Sequence, residues 1–354
     1  MARQVITVGF YGSGVPIRSA MGLAPRRSSG SLRRVVKPRG LGGQSQSPAG
    51  NPGQLHVPVM AEEVARALNV GPQGGVFVDG TVGSGGHARI ILERSSPSGQ
   101  LIGIDKDPEA LARAKQNLSC FKERVVLQRG NYADVRQILN EAGFLEVKGI
   151  LLDLGASYEQ LTSATRGFSF RGCGPLDMRF DPDDPITAHQ IVNFWSENEL
   201  RDLFRSKAQE PWAGRIARAI VRARPIQTTS QLAELVSRAV PPRSTRIHPA
   251  TRVFQALRME VNQELSNIAR GLEAATRCLE PGGRLCVITY HSLEDKLVKS
   301  MMRDKASLQS PFRVITRKPM TPSAEEVKRN PSARSAKLRV LERTQECDAW
   351  IKGH

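Results

Sequence analysis

Short apolar runs alternate with amphipathic segments through the first half of the chain. Val76 to Val78 forms the first run, and others follow within QLIGID, ERVVLQRG and GILLDLG. Between them, HVPVMAEEVARAL, the stretch from Gly86 to Arg94 and a segment beginning at Pro108 have the apolar spacing of helices. Because apolar strands that alternate with helices are typical of parallel sheets, the pattern predicts an α/β fold with both sheet faces covered.

The strand pattern stops after Gly155. From about residue 159 to 247 the sequence has helical spacing and loops but no convincing strand. SENELRDLF begins with Ser196 and Glu199 at the spacing of a capping box, and PWAGRIARAIVRA and SQLAELVSRAV each have one apolar face. We therefore predict that 159–247 is an all-helical insertion, a lid or substrate-recognition domain.

The alternation resumes in the last third of the chain. Apolar residues recur every three or four positions along one long predicted helix that ends at Pro281 to Gly283. They are Phe254, Leu257, Val261, Leu265, Ile268, Leu272 and Leu279. RLCVITY predicts a fifth strand, SLEDKLVKSMM a helix, and FRVITRK and AKLRVLER two final strands. Segments 54–158 and 248–354 thus predict one domain with a seven-stranded sheet.

The charge balance adds a polyanionic partner to this picture. The 354 residues include 51 Lys and Arg against 34 Asp and Glu, a net charge of +17. Such an excess favours RNA or DNA before an acidic membrane, although a basic solvated surface together with a basic leader is the alternative. No apolar run approaches the roughly 20 residues of a membrane span.

A separate leader accounts for part of that charge. The first 61 residues contain no Asp or Glu, and residues 1–53 combine eight basic side chains with Ser, Gly and Pro. This composition predicts a transit peptide, and the alternative is a disordered RNA-binding tail. Because arginine dominates the leader, we expect the mitochondrial matrix rather than a plastid. Removing its eight basic residues from the net charge of +17 still leaves +9.

The five cysteines point to no special chemistry. Cys120, Cys173, Cys278, Cys286 and Cys347 are widely spaced, and they form no C-x-x-C pair. The spacing therefore indicates neither a zinc site nor a disulfide framework, and we predict no metal site.

A glycine-rich loop follows the first predicted strand in VFVDGTVGSGGHARI. A strand, a glycine turn and a helix N-terminus bind nucleotides in many folds, and Asp105 ends the next strand, where an acid can hold ribose hydroxyls. The pattern leaves a dinucleotide and S-adenosylmethionine open. Asp79 inside the loop disfavours the dinucleotide, because a carboxylate beside a pyrophosphate would bring like charges together in a low dielectric. Asp153 ends the fourth strand, where it can neighbour a transferred group.

Several motifs then occur in a fixed order: HVPVM, DGTVGSGGH, GIDKDP, LLDLGAS, RGFSFRGCGPLDMR, HPATRVFQALR, LEPGGRLCVITYHSLEDKLVK and NPSARSAKLR. Together they resemble the MraW/RsmH family, the small-subunit rRNA cytosine-N4 methyltransferases, from about Leu55 to Arg343. The resemblance implies a class I S-adenosylmethionine-dependent methyltransferase fold, Rossmann-like, with a helical insertion. It also implies N4-methylation of a cytidine in the decoding region, which aids ribosome assembly. The implied partner is small-subunit rRNA or the assembling subunit, and a homodimer is compatible with it.

The resemblance also implies which residues bind the cofactor. They are Gly85, Gly86 and His87 in the loop, Asp105 at the ribose, Tyr132 at the adenine, and Asp153 and Gln160 at two further contacts. Backbone N–H groups at Gly85 and Gly86 can approach a carboxylate because no Cβ intervenes.

Two residues are candidates for catalysis. The exocyclic amine of cytosine is a poor nucleophile, because its lone pair is delocalised into the ring. We expect Asp153, or the adjoining carbonyls, to accept a hydrogen bond from that amine, and Tyr158 to brace a flipped base. His291 in YHSLED is a second candidate, and a structural histidine is the alternative there. The chain lacks the Asp/Asn/Ser-Pro-Pro-aromatic motif of many amino-methyltransferases.

Basic side chains of the insertion and the tail are candidates for phosphate contacts, with Trp212 among them. They are Arg205, Lys207, Arg215, Arg218, Arg222, Arg224, Arg243, Arg246, Arg252, Arg258, Arg334, Lys337 and Arg339. Each one taken singly is as well explained by a solvated charge.

The sequence departs from the family pattern at Tyr158, at Thr162 and at the stretch KAQE, residues 207–210. These changes put in question how the base is held. Two other functions therefore stay open: a ribosome-assembly factor with a weak or inactive methyltransferase fold, and a small-molecule Rossmann enzyme such as a dehydrogenase.

Overall fold

The computed structural model describes residues 58–241, 248–307 and 310–344. The predicted leader, 1–53, lies outside the described residues. The strands are β1 (Val76–Asp79), β2 (Gln100–Asp105), β3 (Val125–Arg129), β4 (Val147–Asp153), β5 (Leu279–Thr289), β6 (Phe312–Val314) and β7 (Lys337–Arg343). The first helices are α1 (Ala61–Ala67), α2 (Gly86–Arg94), α3 (Pro108–Asn117), α4 (Val135–Glu141), α5 (Tyr158–Thr162), α6 (Ala188–Phe194) and α7 (Glu197–Ala208). The remaining helices are α8 (Ala213–Ala223), α9 (Thr229–Ala239), α10 (Ala250–Val261), α11 (Glu264–Thr276), α12 (Ser292–Lys305) and α13 (Ala324–Arg329).

The predicted seven-stranded, mostly parallel sheet is confirmed. Its order is β3-β2-β1-β4-β5-β7-β6, and β7 runs antiparallel to both of its neighbours. The chain order reverses between β1 and β4, which is where open parallel sheets bind their ligands. Because β1, β2 and β4 are parallel, their terminal acids, Asp79, Asp105 and Asp153, all lie at the carboxyl edge beside this point.

The described residues between β4 and β5 form helices and loops. Helices α6 to α9 pack around one apolar cluster that includes Leu200, Phe204, Ile216 and Val236. Helix α10 begins beyond residue 247, yet it contributes residues such as Leu257 to the same cluster. The helical layer therefore continues into the segment assigned to the sheet domain by sequence.

The capping box predicted from sequence is present. The Ser196 hydroxyl accepts a hydrogen bond from the backbone N–H of Glu199, whose carboxylate accepts one from the N–H of Ser196. Among the described residues, no helix combines the length and apolar character needed to cross a bilayer.

The prediction of a single long helix after residue 250 is wrong, because the chain forms two helices there, α10 and α11. Gln263 between them has a left-handed backbone with φ 50°. The Asn262 amide donates to the carbonyls of Met178 and Arg258, and its oxygen accepts from the N–H of Phe180. Apolar spacing could not reveal this break, because both helices keep a buried face across it.

The end of that predicted helix also differs. Helix α11 stops at Thr276, and Leu279 already belongs to β5, so the strand runs through Pro281 to Gly283. The register between β4 and β5 shifts between Val147 and Gly149, next to this stretch. A bulge of this kind absorbs the turn residues without ending the strand.

Candidate active site

A cavity of about 340 Å³ opens at the carboxyl edge of the sheet. Its walls come from the glycine loop, from the ends of β2 and β4, and from the turn that follows β5. Helices α10 and α11 close one side through Arg258, Glu264 and Asn267. The cavity thus lies at the switch point of the sheet and touches the helical layer.

Asp105 ties the glycine loop to β2. Its Oδ2 accepts from the backbone N–H of Gly83 at 2.8 Å, and its Oδ1 accepts from the N–H of Asp107 at 2.9 Å. Gly83 has φ 53°, a conformation that favours glycine. Burial raises the pKa of the Asp105 carboxyl. Each oxygen has a second lone pair, so a carboxylate at the cavity wall can still accept from sugar hydroxyls.

The next loop residues have different tasks. Gly86 and His87 line the cavity at the start of α2. Gly85 does not line it, because its N–H already donates to the carbonyl of Val82 at 2.8 Å. A Cβ on Gly85 would lie 3.1 Å from the Leu118 side chain. The Gly85 amide therefore donates within the turn, and Gly86 lies at the cavity.

Asp79, the acid at the end of β1, does not lie at the cavity. Its side chain is buried at 1% exposure and does not line the cavity, so it does not face a ligand directly. Its Oδ1 accepts from the N–H of Thr81 at 3.2 Å. Burial raises the pKa of Asp79 to about 7, although the charge of His87 acts in the opposite direction. Asp79 is thus a buried carboxyl behind the cavity wall.

Asp153 is the carboxylate that faces the cavity at the end of β4. Tyr290 Oη donates to its Oδ1 at 2.8 Å, and His87 Nε2 lies 3.6 Å from its Oδ2. The backbone N–H of Asp153 donates to Thr81 Oγ1 at 2.7 Å. Burial raises the pKa of the Tyr290 hydroxyl, so this hydroxyl keeps its proton and acts as a donor.

Tyr290 was not identified from the sequence. Its position at the end of the fifth predicted strand was the available signal, because β5 is the neighbour of β4 in the sheet. The sequence alone does not show that β4 and β5 are neighbours in the sheet.

Tyr132 and Gln160 both line the cavity. Tyr132 packs against the helix α11 backbone at Gly271, where a Cβ would lie 2.5 Å from its ring. The Gln160 Nε2 donates to Asp107 Oδ2 at 2.9 Å, and its Oε1 accepts from the N–H of Ser157 at 2.9 Å. Gln160 therefore also fixes the loop that follows β4.

His291 has a structural task in this fold. It caps α12, where its Nδ1 accepts from the N–H of Glu294 at 3.4 Å. Its Nε2 lies 2.9 Å from Glu294 Oε1, and the residue does not line the cavity. The catalytic candidate His291 is thus placed as the structural histidine that was its alternative.

A buried charge network forms the wall opposite the glycine loop. Arg258 contacts both oxygens of Glu264, at 2.8 and 2.9 Å. Ligand atoms of Glu264, His291 and Glu294 lie within 4.8 Å of one another. Within this group the Arg258 guanidinium pairs with Glu264, and that ion pair connects α10 and α11.

The basic side chains divide into two sets. Arg205, Arg215, Arg218 and Arg222 are exposed on α7 and α8, and Arg334 is exposed near the C-terminus. Others have internal partners, as the following pairs show: Lys207 with Glu260, Arg224 with the carbonyls of Val192 and Trp195, Arg252 with Glu210, Arg258 with Glu264, and Lys337 and Arg339 with Asp295. Arg243 and Arg246 lie outside the described residues.

Comparison with known proteins gives a family match and close relatives. Residues 53–344 match the model of the MraW methylase family. A ribosomal RNA small subunit methyltransferase H from Syntrophus aciditrophicus is 49% identical over 307 residues, which cover 81% of this chain and 97% of the relative. One from Cyanothece sp. is 50% identical, with 82% and 95% covered. The solved structure of an rRNA methylase from Streptococcus thermophilus is 12% identical at a TM-score of 0.40, with 80% and 95% covered.

Proposed function

The chain belongs to the MraW methylase family, and from this premise we propose that it methylates the N4 amine of a cytidine in small-subunit ribosomal RNA. We place that cytidine in the decoding region, and we propose that the modification aids ribosome assembly. The methyl donor is S-adenosylmethionine. The cofactor site consists of Gly86, His87, Asp105, Tyr132, Asp153 and Gln160 around the cavity, with Gly85 in the turn of its glycine loop.

One observation carries this proposal: two strand-end carboxylates, Asp105 and Asp153, share one cavity with a glycine loop. The buried Asp79 lies behind the same loop. A site surrounded by acids suits a cofactor with a positively charged sulfur, because a diphosphate would be repelled at short range in a low dielectric. Asp105 can accept from ribose hydroxyls, each worth roughly 1.5–3 kcal/mol as a charge-assisted hydrogen bond.

S-adenosylmethionine supplies an electrophilic methyl group when it is bound. The chain must hold the amine in line with that methyl group and accept a hydrogen bond from the amine. Asp153 lies at the cavity wall and has one oxygen fixed by Tyr290. An acceptor held in this way localises the nitrogen lone pair, which makes the amine a better nucleophile.

We also propose that the helical insertion, 159–247, contacts the RNA. The exposed residues Arg205, Arg215, Arg218 and Arg222 support this role, because solvent-exposed guanidinium groups can bind phosphates. Tyr158 lies at the cavity and is 52% exposed, which suits contact with an extruded base.

The purified protein tests the proposed function with isolated small subunits and with naked small-subunit rRNA. We expect N4-methylcytidine in the digested RNA by nucleoside mass spectrometry. Asp153→Asn should lower its yield at least tenfold, whereas Glu342→Gln, a buried carboxylate on β7, should not. Tight binding of subunits without methyl transfer would instead favour an assembly factor, and NAD binding without S-adenosylmethionine binding would favour a dehydrogenase.

For the cellular location we propose the mitochondrial matrix. Support comes from the arginine-rich, acid-free leader, residues 1–53, which precedes the family match. The leader fused to a fluorescent protein should enter mitochondria, and replacement of its arginines by glutamine should abolish import. Import into plastids would overturn the assignment.

A further inference from the structure

Two buried polar atoms in the segment from Asp79 to His87, one behind the cavity wall and one in it, lack hydrogen-bond partners among the described residues. They are Asp79 Oδ2 and His87 Nε2, in side chains that are 1% and 7% exposed. Buried polar atoms are almost always paired, because a buried group without a partner loses its hydrogen bonds to water and gains none in return. His291 Nε2 and Glu294 Oε1 after β5 lack partners within the described part of the chain as well, but His87 Nε2 is distinguished by the Asp153 carboxylate, whose Oδ2 lies 3.6 Å away.

His87 interacts with two carboxylates. Its Nε2 lies 3.6 Å from Asp153 Oδ2, in the cavity wall. The charge of His87 also acts on Asp79, where it opposes the effect of burial on the pKa. The remaining charges that act on Asp79 come from Asp153 on β4 and from Asp105 on β2, and both are acids. His87 is thus the cation-forming group among the charges that act most strongly on Asp79.

The other polar neighbours of Asp153 and Asp79 have different tasks. Tyr290 donates to Oδ1 of Asp153, so Oδ2 is the oxygen directed to His87. Tyr290 itself is a donor whose pKa burial raises, so it does not take up a proton. Asp105 is held by the backbone N–H groups of Gly83 and Asp107 on the far side of the loop.

We propose that His87, backed by the Asp79 carboxylate, receives through Asp153 the proton that the target amine gives up. This inference rests on the proposed methyl transfer to an amine. In that reaction the amine nitrogen forms a bond to the methyl carbon, the carbon–sulfur bond breaks, and its electron pair stays on sulfur. The methylated nitrogen is then cationic and loses one proton. That proton passes to Asp153 Oδ2 and from there to His87 Nε2, and it leaves to solvent after product release.

Asp79 has a defined task in this path, because its negative charge balances the imidazolium. The balance is present only while Asp79 is ionised. Since burial raises the pKa of Asp79 to about 7, its negative charge is absent well below that pH and fully present well above it. We therefore expect the rate of methyl transfer to rise with pH through about 7.

The kinetic test compares Asp79→Asn with Glu342→Gln, a buried carboxylate that does not line the cavity. Asp79→Asn should lower the single-turnover rate by roughly ten- to a hundredfold and abolish the rise through pH 7. Its affinity for S-adenosylmethionine should stay within about threefold of wild type. Glu342→Gln should keep both the rate and the pH profile. An unchanged rate and profile in Asp79→Asn would overturn the proposal.

A second readout needs no turnover. Carboxyl ¹³C NMR of the cofactor-free, aspartate-labelled protein should show one carboxyl that titrates near pH 7 and that disappears in Asp79→Asn. His87→Gln should move its midpoint upward, because the opposing charge is gone, whereas His189→Gln on α6 should leave it unchanged. If the midpoint is the same in His87→Gln as in wild type, the titrations of Asp79 and His87 are uncoupled. That result would refute the proposal even if Asp79→Asn fails to fold.

Different results refute the proposed function and the proton path. If wild type and Glu342→Gln both transfer no methyl group to an amine, the proposed function is wrong. If both are active and Asp79→Asn matches them across the pH range, only the proton path is wrong.

Discussion

Replacing Tyr290 with phenylalanine removes one hydroxyl from the candidate active site and leaves the ring that packs there. The lost group donates to Asp153 Oδ1 at 2.8 Å. A hydrogen bond to a carboxylate contributes roughly 1.5–3 kcal/mol. The Asp153 side chain is 23% exposed, so water can replace part of that bond, and the lower end of the range applies.

About 1.5 kcal/mol corresponds to roughly a tenfold effect. We expect kcat/KM for methyl transfer to fall by about that factor in Tyr290→Phe, because Asp153 then loses the partner that fixes its orientation. The free energy of unfolding should fall by about 1 kcal/mol for the same reason. Single-turnover kinetics on small-subunit RNA and urea unfolding measure the two quantities.

A double-mutant cycle with Asp153→Asn isolates the interaction. If Tyr290 acts through Asp153, the tyrosine substitution should cost less than threefold in the Asp153→Asn background. An equal loss in both backgrounds, or a kcat/KM within twofold of wild type in Tyr290→Phe, would refute the reasoning.

Two further substitutions test the helical wall of the cavity. Arg258→Met should destabilise the protein by about 3–5 kcal/mol in urea unfolding, because Glu264 is left as a buried, unpaired charge. The double substitution Arg258→Met/Glu264→Met should recover most of that loss. If it recovers none, the loss does not come from the unpaired Glu264 charge. Gly271→Ala should weaken S-adenosylmethionine binding by about 1–3 kcal/mol in calorimetric titration, because its Cβ would lie 2.5 Å from the Tyr132 ring. The matched change Gly214→Ala on α8 meets nothing closer than 3.9 Å and should leave that affinity unchanged.

The strands and the glycine loop were predictable because their signals are local. The predicted helix from Gly86 to Arg94 and the strand end at Asp105 are confirmed, since turn residues and apolar runs mark them directly. The acids at strand ends could also be placed at one edge, because parallel strands end together.

The contacts between those acids could not be predicted in the same way. Asp79 and Asp153 both end apolar strands, yet one is buried behind the wall and the other faces the cavity. Which of them is exposed depends on the course of the loop around Thr81 and His87, and on Tyr290 from β5. These neighbours are distant in sequence, so the pattern of residues did not distinguish the two carboxylates.

The break between α10 and α11 shows how the helical layer and the cavity are connected. Asn262 interrupts the apolar periodicity, and its amide holds the loop at Met178 and Phe180. Four residues before it and two residues after it, Arg258 and Glu264 form the buried pair in the cavity wall. A continuous helix would carry Glu264 to a different angle and lose this pair, because residues six apart do not share a helix face. The break therefore lets one short segment both anchor the predicted substrate-recognition layer and shape the cavity in which the methyl transfer is proposed to occur.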